Sequence, residues 1–574
     1  MYIIASDGSG DFTSIQQAVD AVPDGNRAPV ILLVRMGEYR ERVVVHKDHL
    51  RIVGEARDRT VVTASGCAMD KDENGNDRGT FLSATFTVTG ANVEVENLTI
   101  RNDAGDGRDV GQAVAVYAAG DRGVWRNVRM IAHQDTLFCG PLMPKVADFI
   151  SPRRGRAETV PSVGDCPPTR GRQYFEDCYI QGDVDFIFGP YRCWFERCTL
   201  FMNARGGFYT AANTPEGQPH GMVFHRCVLT GECGEGEAFL GRPWRKYART
   251  AFLNCDMDAH VAPSGFSDWD ETRVVTSRYA EFGTTGIRAD QSPRHPRQKR
   301  LTEAEAGLIT LQEVIGVWDG WRPDRRTPVW YLCGDSTMAN YPESAYPMTG
   351  WGQKLQALLN ENVYVENCAV NGRSSKSFIA EKRLNFIELC LRKGDRLIVS
   401  FSHNDEKKDP ERATDARITY PEYLGMYIDA ARRQGAEPIL VTPIPRRLFD
   451  GEGNPVPTHG AYPDAMRCLA TYRGVRLVDL EKAAARLFRR LGPEGTKRVF
   501  CHVPAGSENY PDGLSDNSHL QEEGAITIAA LFLDLLRQPP RPEEIGEGYP
   551  EESPAAAEIA DLPGLISRED DVLR

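Results

Sequence analysis

The chain has 574 residues and a formal net charge of −13. This length exceeds what one hydrophobic core supports and predicts two or more domains. The acidic balance argues against nucleic acid as a partner, although a cleft with its own basic groups can still bind an anionic polymer. No apolar run approaches the roughly 20 residues of a membrane-spanning helix, so no membrane association is expected.

The first residues, from Met1 to Asp7, lead directly into domain-like sequence. They carry neither the basic region nor the apolar stretch of a secretory signal peptide. If Met1 is the true start, we expect a cytoplasmic protein. Its 14 cysteines are then expected to remain thiols rather than to form disulfides.

A repeated strand pattern runs through the first half of the chain. Its copies are centred on the pairs Asn97-Leu98, Asn127-Val128, Asp177-Cys178, Arg197-Cys198, Arg226-Cys227 and Asn254-Cys255. A spacing of roughly 20 to 30 residues fits one coil of a parallel β-helix. The longer interval between Val128 and Cys178 predicts an extra rung or a long loop, and the Pro-, Gly- and Arg-rich segment 139–170 is typical of such a loop.

Four of these copies place a cysteine at the same position, namely Cys178, Cys198, Cys227 and Cys255. Cysteine clusters bind zinc in many proteins. One cysteine per rung, however, favours a stack of small buried side chains inside the coil. We therefore expect neither a metal nor an organic cofactor.

Short polar segments separate these strands and carry residue types suited to ester chemistry. They include Gly111-Gln112-Ala113, His133-Gln134-Asp135-Thr136-Leu137-Phe138, Gly182-Asp183-Val184-Asp185-Phe186 and Leu240-Gly241-Arg242-Pro243-Trp244. In a β-helix, equivalent positions of successive rungs stack on one face. We therefore expect Gln112, Gln134, Asp185 and Arg242 to converge.

These segments, with Gly37-Glu38-Tyr39-Arg40-Glu41 and Gly171-Arg172-Gln173-Tyr174-Phe175, resemble in order the signature blocks of pectin methylesterases (carbohydrate esterase family 8) over about residues 3 to 322. The resemblance implies a right-handed parallel β-helix that hydrolyses methyl esters of galacturonate. It implies Asp185 as the nucleophile, Asp135 as acid and then base, and Arg242 as the group that keeps Asp185 ionised. It further implies Gln112 and Gln134 as donors to the oxyanion, and Trp244 and Phe138 as apolar contacts of the sugar.

After residue 322 the pattern changes to alternating strands and helices. Strands are predicted at 329–334, 363–369, 396–402, 438–443 and 475–480, and helices at 374–393, 420–435 and 519–537. Nearly continuous apolar strands indicate a buried parallel sheet. This half therefore predicts a doubly wound α/β sandwich, with its active site at the carboxyl ends of the strands.

Four motifs follow these strands or precede the last helix. They are Gly334-Asp335-Ser336, Asn371-Gly372-Arg373, His403-Asn404-Asp405 and Asp516-Asn517-Ser518-His519. In this order they resemble SGNH hydrolases, and with Gly350-Trp351-Gly352 they resemble rhamnogalacturonan acetylesterases (carbohydrate esterase family 12) over about residues 329 to 538.

That second resemblance implies a flavodoxin-like three-layer sandwich that hydrolyses acetyl esters. Ser336 would be the nucleophile, His519 the base and Asp516 the group that orients His519. The oxyanion would be bound by the N–H groups of Ser336 and Gly372 and by the amide of Asn404. Ser402 departs from the family, which has glycine before His-Asn-Asp.

The sequence thus predicts a methylesterase domain at 1–322, a linker at 323–328, an acetylesterase domain at 329–538 and a flexible acidic, Pro-rich tail at 539–574. The predicted function is a bifunctional esterase acting on pectic polysaccharides or oligosaccharides. The alternative is that one half is a non-catalytic carbohydrate-binding module. A β-helical lyase or polygalacturonase is disfavoured by the candidate residues of the first half, namely Gln112, Gln134, Asp135, Asp185 and Arg242. The acetylated polymer and the oligomeric state stay open.

Overall fold

A computed structural model of the chain describes residues 1–26, 29–72, 74–140, 171–316, 319–360 and 362–538. Its contacts divide the chain into a first unit, Met1–Arg326, and a second unit, Thr327–Arg574. The predicted domain boundaries at 322 and 329 stay predictions. Most of the predicted loop at 139–170 and all of the predicted tail at 539–574 lie outside the described residues.

The first unit is a parallel β-helix built from three long sheets, as predicted. The first sheet contains Tyr2–Ile4, Val30–Val34, Leu50–Gly54, Glu94–Glu96, Gly123–Arg126, Arg172–Glu176, Arg192–Glu196, Met222–His225, Arg249–Leu253, Arg278–Phe282 and Lys299–Arg300. The second contains Gly37–Arg40, Thr60–Ala64, Thr99–Asn102, Arg129–Ile131, Tyr179–Gly182, Thr199–Met202, Val228–Gly231 and Asp256–Met257. The third contains Val43–Val45, Phe86–Val88, Val116–Ala118, Leu137–Cys139, Ile187–Gly189 and Thr210–Ala212. Gly207–Phe208 and Ala238–Phe239 form a further parallel pair.

Each predicted repeat is two short strands joined by a corner, not one strand. The repeat around Asn97, for example, has Glu94–Glu96 in the first sheet and Thr99–Asn102 in the second. The corner residue has a positive φ, between 51° and 59°, at Asn97, Asn127, Asp177, Arg197, Arg226 and Asn254. Asn and Asp adopt this left-handed region more readily than other non-glycine residues. The recurring polar residue therefore marks the corner between two sheets.

Aromatic rings at equivalent positions of successive rungs stack inside the coil. Phe175, Phe195, Phe224 and Phe252 have neighbouring ring centroids 4.5, 4.4 and 4.6 Å apart and nearly parallel planes. Each such pair contributes roughly 0.5–1.5 kcal/mol beyond its burial. The predicted cysteine stack lies in the same core, and its four members are fully buried. The interpretation of these cysteines as small core residues is confirmed.

The strands on either side of the long interval pair directly with each other. Gly123–Arg126 pairs with Arg172–Glu176, and Arg129–Ile131 pairs with Tyr179–Gly182. Each of the two sheets therefore continues across the interval with no further strand between these paired strands. Residues 141–170 themselves lie outside the described part of the chain.

Short helices cover the coil at one end and on one face. The described helices of this unit are Ile15–Ala21, Gly107–Val110, Glu271–Val274, Glu303–Gly307 and Leu311–Ile315, with a 3₁₀ turn at Phe81–Ser83. Ser14 caps the first of them by accepting the N–H of Gln17. Val314 and Ile315 pack against outward-facing apolar side chains of the first sheet. The turns that precede three strands of the third sheet carry candidate site residues.

The second unit is an α/β sandwich around a parallel sheet, as predicted. Its strands lie in the spatial order Tyr364–Asn367, Val329–Gly334, Arg396–Ser400, Glu437–Val441 and Arg476–Val478. This 2-1-3-4-5 order is the flavodoxin-like one. The described helices are Trp351–Leu355, Ser375–Ala380, Arg383–Cys390, Thr419–Arg433, Tyr462–Arg473, Leu480–Gly495, which is interrupted at Gly492, and Glu522–Arg537, with 3₁₀ turns at Glu343–Ala345, Gln356–Leu358 and Thr496–Arg498.

Two predicted helices of this unit differ from the structure. The helix predicted at 374–393 is divided in two because Lys382 has a left-handed conformation, with φ of 60°. The helix predicted at 519–537 begins at Glu522 because Leu514–Leu520 is a strand, paired antiparallel with Phe500–Val503. Among the residues described, no helix is long and apolar enough to cross a membrane. The cytoplasmic location stays a prediction.

Candidate active sites

Four candidate residues of the first unit lie in turns that precede neighbouring strands of the third sheet, whereas Arg242 and Trp244 follow the strand Ala238–Phe239. Val116–Ala118 pairs with Leu137–Cys139, which pairs with Ile187–Gly189. The turns are also connected by backbone hydrogen bonds, from Ala113 N to Gln134 O at 3.1 Å and from Asp135 N to Val184 O at 3.1 Å. The turns that carry Gln112, Gln134, Asp135 and Asp185 are therefore brought together, as the rung spacing predicts.

Asp185 and Arg242 form a two-pronged ion pair inside this site. Arg242 Nε donates to Asp185 Oδ1 at 2.8 Å, and Nη2 donates to Oδ2 at 2.7 Å. Asp185 is buried. Burial raises the pKa of its carboxyl group above the ordinary value, and the hydrogen bonds from Arg242 oppose that rise. The arginine thus favours the ionised carboxylate in a place where desolvation disfavours it.

The guanidinium of Arg242 is itself held between two aromatic rings. Its Cζ lies 4.0 Å from the ring centroid of Phe208 and 4.0 Å from that of Trp269. Such stacking fixes the plane of the guanidinium and suits its delocalised charge. Neither ring is among the predicted site residues. The sequence signal is faint, because both residues lie outside the signature blocks and Trp269 is distinctive only as a tryptophan in a polar segment.

Gln112 lies one rung before Gln134 and Asp135, and the three side chains differ in burial. Both glutamines are half-buried, whereas Asp135 is buried and has a left-handed φ of 67°. The backbone of Gly107 approaches Gln134 so closely that a β-carbon there would lie 2.7 Å from Gln134 Cβ. Only glycine fits that contact, which confines Gln134 from one side.

The structure corrects one predicted sugar contact and leaves another as a prediction. Phe138 is 0% exposed and packs against Phe81, Tyr117 and Phe188, with ring centroids 4.8 to 5.0 Å apart. A ring without exposed surface cannot contact a sugar, so Phe138 is a supporting residue. Trp244 is half-buried and packs edge-on to Phe188 at 5.8 Å. Its contact with the sugar stays a prediction.

In the second unit, three candidate residues form a continuous hydrogen-bonded chain. His519 Nε2 lies 3.0 Å from Ser336 Oγ, and His519 Nδ1 lies 2.7 Å from Asp516 Oδ2. Ser336 follows the strand Val329–Gly334 directly, at its carboxyl end. Burial raises the pKa of Asp516, but hydrogen bonds with His519 and with the backbone of Ser518 outweigh it and lower the pKa to about 2. Asp516 is therefore ionised beside the imidazole.

Gly372 and Asn404 follow the two strands that flank Val329–Gly334 in the sheet. Gly372 has a φ of 75°, which glycine adopts without steric cost, and the space beside its Cα is open. Asn404 Nδ2 donates to the carbonyl of Arg373 at 3.1 Å, which ties the two loops together. The backbone N–H and the side-chain amide predicted for the oxyanion thus lie on adjoining loops.

Asp405, the last residue of the His403-Asn404-Asp405 motif, forms hydrogen bonds that the sequence analysis did not predict. Its carboxylate accepts the N–H of Ser375 at 3.1 Å and also the Ser375 hydroxyl. Burial raises the pKa of Asp405 to about 7. Ser402, the departure from the family pattern, is fully buried, and its hydroxyl has no hydrogen-bond partner among the residues described.

Comparisons with known proteins match the two halves of the chain, each of which contains one candidate site, to two different families. The pectinesterase family model matches residues 1–141 and 168–316, and that of the GDSL-like lipase/acylhydrolase family matches 332–525. Rhamnogalacturonan acetylesterase RhgT of Bacillus subtilis is 42% identical over 209 residues, which cover 36% of this chain and 89% of that protein. Pectinesterase 31 of Arabidopsis thaliana is 32% identical over 315 residues, covering 54% of this chain and 89% of that protein. The solved structure of pectin methylesterase from carrot is 27% identical, covers 55% of this chain and 94% of its own, and has a TM-score of 0.46.

Proposed function

Because the chain belongs to the pectinesterase family through residues 1–141 and 168–316 and to the GDSL-like acylhydrolase family through residues 332–525, we propose that it is a bifunctional pectin esterase. The chain is a carboxylic ester hydrolase that modifies pectin. In the proposal, the first unit hydrolyses methyl esters of galacturonate and releases methanol. The second unit hydrolyses acetyl esters of pectic saccharides and releases acetate.

The first step at the methylesterase site needs an ionised carboxylate. Asp185 attacks the ester carbonyl carbon, and the carbonyl oxygen becomes an oxyanion that the amides of Gln112 and Gln134 stabilise. The ion pair with Arg242, at 2.7 and 2.8 Å, supports this role because it keeps the buried carboxylate charged and oriented.

Collapse of the intermediate then requires an acid. Asp135 donates its proton to the departing methoxide, so that methanol leaves and an anhydride joins Asp185 to the substrate acyl group. Asp135, now ionised, takes a proton from water as the water attacks the acyl carbon. The products are the free carboxylic acid of galacturonate, which then loses its proton to solvent, and the regenerated Asp185 carboxylate, with Asp135 again protonated.

At the second site a neutral nucleophile needs a base. Ser336 Oγ attacks the acetyl carbonyl while His519 takes its proton, and Asp516 stabilises the resulting imidazolium. The oxyanion is bound by the N–H groups of Ser336 and Gly372 and by the amide of Asn404. The sugar hydroxyl leaves with the proton from His519, and water repeats the sequence to release acetate.

The observation that supports this proposal best is that each unit holds its nucleophile in contact with the group its chemistry requires. Ser336, His519 and Asp516 are aligned at 3.0 and 2.7 Å, and Asp185 is paired with Arg242. A pectic substrate for the acetylesterase is supported by the similarity to a rhamnogalacturonan acetylesterase. A single chain with both activities removes two kinds of ester from one polymer at high local concentration.

The test is to measure methanol and acetate released from methylated, acetylated beet pectin. Wild type, Asp185→Asn and Ser336→Ala are compared side by side. We expect Asp185→Asn to lose methanol release alone and Ser336→Ala to lose acetate release alone. If wild type releases one product only, the proposal fails for the other unit, which is then a carbohydrate-binding module or acts on another polymer.

A further inference from the structure

A charged network lies beside the candidate carboxylates of the first unit and has no part in the proposed chemistry. His133 Nδ1 lies 3.1 Å from Asp183 Oδ2. The Asp183 side chain is fully buried, whereas that of His133 is 38% exposed. On the other side, Arg205 Nη1 lies 3.9 Å from Asp183 Oδ1 and 3.6 Å from Asp106 Oδ1. A buried carboxylate is thus shared by a histidine and an arginine.

The network connects the segments that carry the proposed catalytic residues. His133 precedes Gln134 and Asp135, Asp183 lies in the turn of Asp185, and Asp106 caps the helix Gly107–Val110 that leads to Gln112. The two central turns also exchange backbone hydrogen bonds, including one from Asp183 N to His133 O at 3.0 Å. The side-chain pair of His133 and Asp183 therefore adds a charged contact between turns that must stay in register.

Asp183 is also connected to the clamp around Arg242. Its carbonyl accepts the N–H of Phe208 at 2.9 Å. The Phe208 ring in turn lies 4.0 Å from the guanidinium of Arg242. Asn203 supports the other end, since its amide donates to Ala132 O at 3.2 Å and lies 3.5 Å from Asp183 Oδ2. A displacement of Asp183 would therefore move both the turn of the nucleophile and the group that orients it.

We propose that His133 and Asp183 are positioning residues of the methylesterase site, whose ion pair holds the turn of Asp135 against the turn of Asp185. This inference rests on the proposed function of that site. The pair is strongest when the imidazole is protonated, so methylesterase activity acquires a dependence on the charge of His133. The charged groups that face His133 are Asp183, Asp106 and Arg205.

The direction of this pH dependence follows from the partners. The hydrogen bond with Asp183 raises the pKa of His133, whereas burial and the charge of Arg205 oppose the rise. The pair is therefore intact below the raised pKa and is weakened as the pH rises through it. Methanol release should decline on that alkaline side. Acetate release, which uses no member of this network, provides a reference within the same chain.

The experiment compares His133→Gln with a matched control, His225→Gln. His225 forms a similar pair with Glu196, at 2.8 Å, but both residues lie in strands of the first sheet rather than in the turns before the third. We expect His133→Gln to lower kcat for methanol release by about tenfold or more, because small displacements of reacting groups cost up to about 10²-fold in rate. KM and acetate release should stay near their wild-type values, and His225→Gln should leave both activities unchanged.

Two further variants separate a positioning role from a merely structural one through the pH profile. Asp183→Asn removes the charge that raises the pKa of His133 and forms the ion pair, so the alkaline limb of methanol release should become shallower and move to lower pH. Arg205→Gln removes an opposing positive charge, so the limb should move to higher pH. In His133→Gln this limb should vanish.

The inference is wrong if the variants release methanol with the wild-type kcat and an unchanged alkaline limb, even when their thermal stability is lower. If His133→Gln does not fold, the opposite shifts in Asp183→Asn and Arg205→Gln still decide the question. Absence of methanol release from wild type would refute the proposed function and this inference together. Wild-type methanol release with unaltered variants would refute this inference alone.

Discussion

The two units hold their proposed nucleophiles in opposite surroundings. Asp185 must be charged in a buried place, and its partner is a fixed cation, Arg242, held between two rings. Ser336 is neutral, and its partner is a base, His519, supported by an anion. Burial opposes the ionised form of a carboxylate nucleophile, so a permanent positive charge must counter it. A neutral nucleophile needs only a proton acceptor.

The two folds also gather their sites differently. In the coil, the site is spread over neighbouring rungs, whose strands lie about 4.8 Å apart. In the sandwich, the site is collected from loops at the carboxyl ends of adjoining strands and from one segment far along the chain, at His519. Substitutions that change the release of methanol or of acetate, but not of both, therefore test whether the two sites act separately.

The largest effect is expected for Asp516→Asn. An amide cannot stabilise the imidazolium and favours the wrong tautomer of His519, so kcat for acetate release should fall by about 10³- to 10⁴-fold. Methanol release should be unchanged in the same assay. The control is Ser518→Ala, because Ser518 contacts Asp516 through its backbone N–H at 2.7 Å. Near wild-type acetate release by Asp516→Asn would show that the aspartate is dispensable.

The next effect is expected for Arg242→Gln, which removes the cation beside Asp185. Methanol release should fall by about 10²-fold, a typical loss when an electrostatic partner is removed. Burial would then raise the pKa of Asp185 without opposition. The carboxylate would be protonated at higher pH, so the acid limb of the methanol profile should move upward. Arg197→Gln, a substitution of an exposed arginine, is the control, and an unmoved acid limb in Arg242→Gln would contradict the assigned role.

A stability effect specific to the coil is expected for Phe224→Ala. Phe224 lies in the middle of the stacked rings, and truncation of a buried phenylalanine costs about 3–5 kcal/mol of unfolding free energy. In a urea series, loss of methanol release should occur at a lower concentration, whereas loss of acetate release should not shift. Val228→Ala, at a position 43% exposed, should change stability by less than about 0.5 kcal/mol. Equal shifts of both activities would show that the units do not unfold separately.

The smallest effect is expected for Ser402→Ala in the second unit. The Ser402 hydroxyl is buried without a hydrogen-bond partner among the described residues, so its removal should be neutral or should stabilise the protein by about 1 kcal/mol. Ser375→Ala is the contrasting variant, because it removes a hydroxyl that donates to Asp405 and should cost roughly 1.5–3 kcal/mol. Thermal unfolding measures both, and a large loss in Ser402→Ala would reveal a contact of that hydroxyl.

The sequence was sufficient to predict both folds and the main segments of both sites. Polar corner residues such as Asn97 recur with the rung period, and the motifs around Ser336 and His519 follow predicted strands or precede a predicted helix. These signals are local or periodic, so they can be recognised in one amino-acid sequence without knowledge of which distant segments are in contact. The earliest rungs, at residues 2–64, have no left-handed polar residue between their first-sheet and second-sheet strands, so the repeat pattern does not extend to them.

What could not be predicted depends on contacts between distant segments. The burial of Phe138 arises from rings on other rungs, and no periodicity distinguishes a buried ring from one at a cleft. Phe208 reaches Arg242 from the two-residue strand Gly207–Phe208, and Trp269 reaches it from an irregular loop. The break at Lys382 and the strand Leu514–Leu520 likewise reflect tertiary packing that overrides the helical pattern.

The direct pairing of Gly123–Arg126 with Arg172–Glu176 has a consequence for how such a coil can change. Register is set by the strands on either side, so the length of chain between residues 140 and 171 is decoupled from the closure of the rung. Doubling such a connection costs only about 0.6 kcal/mol of chain entropy. The stretch of chain between these two strands can therefore be lengthened or shortened, by evolution or by engineering, while the paired strands keep the same register.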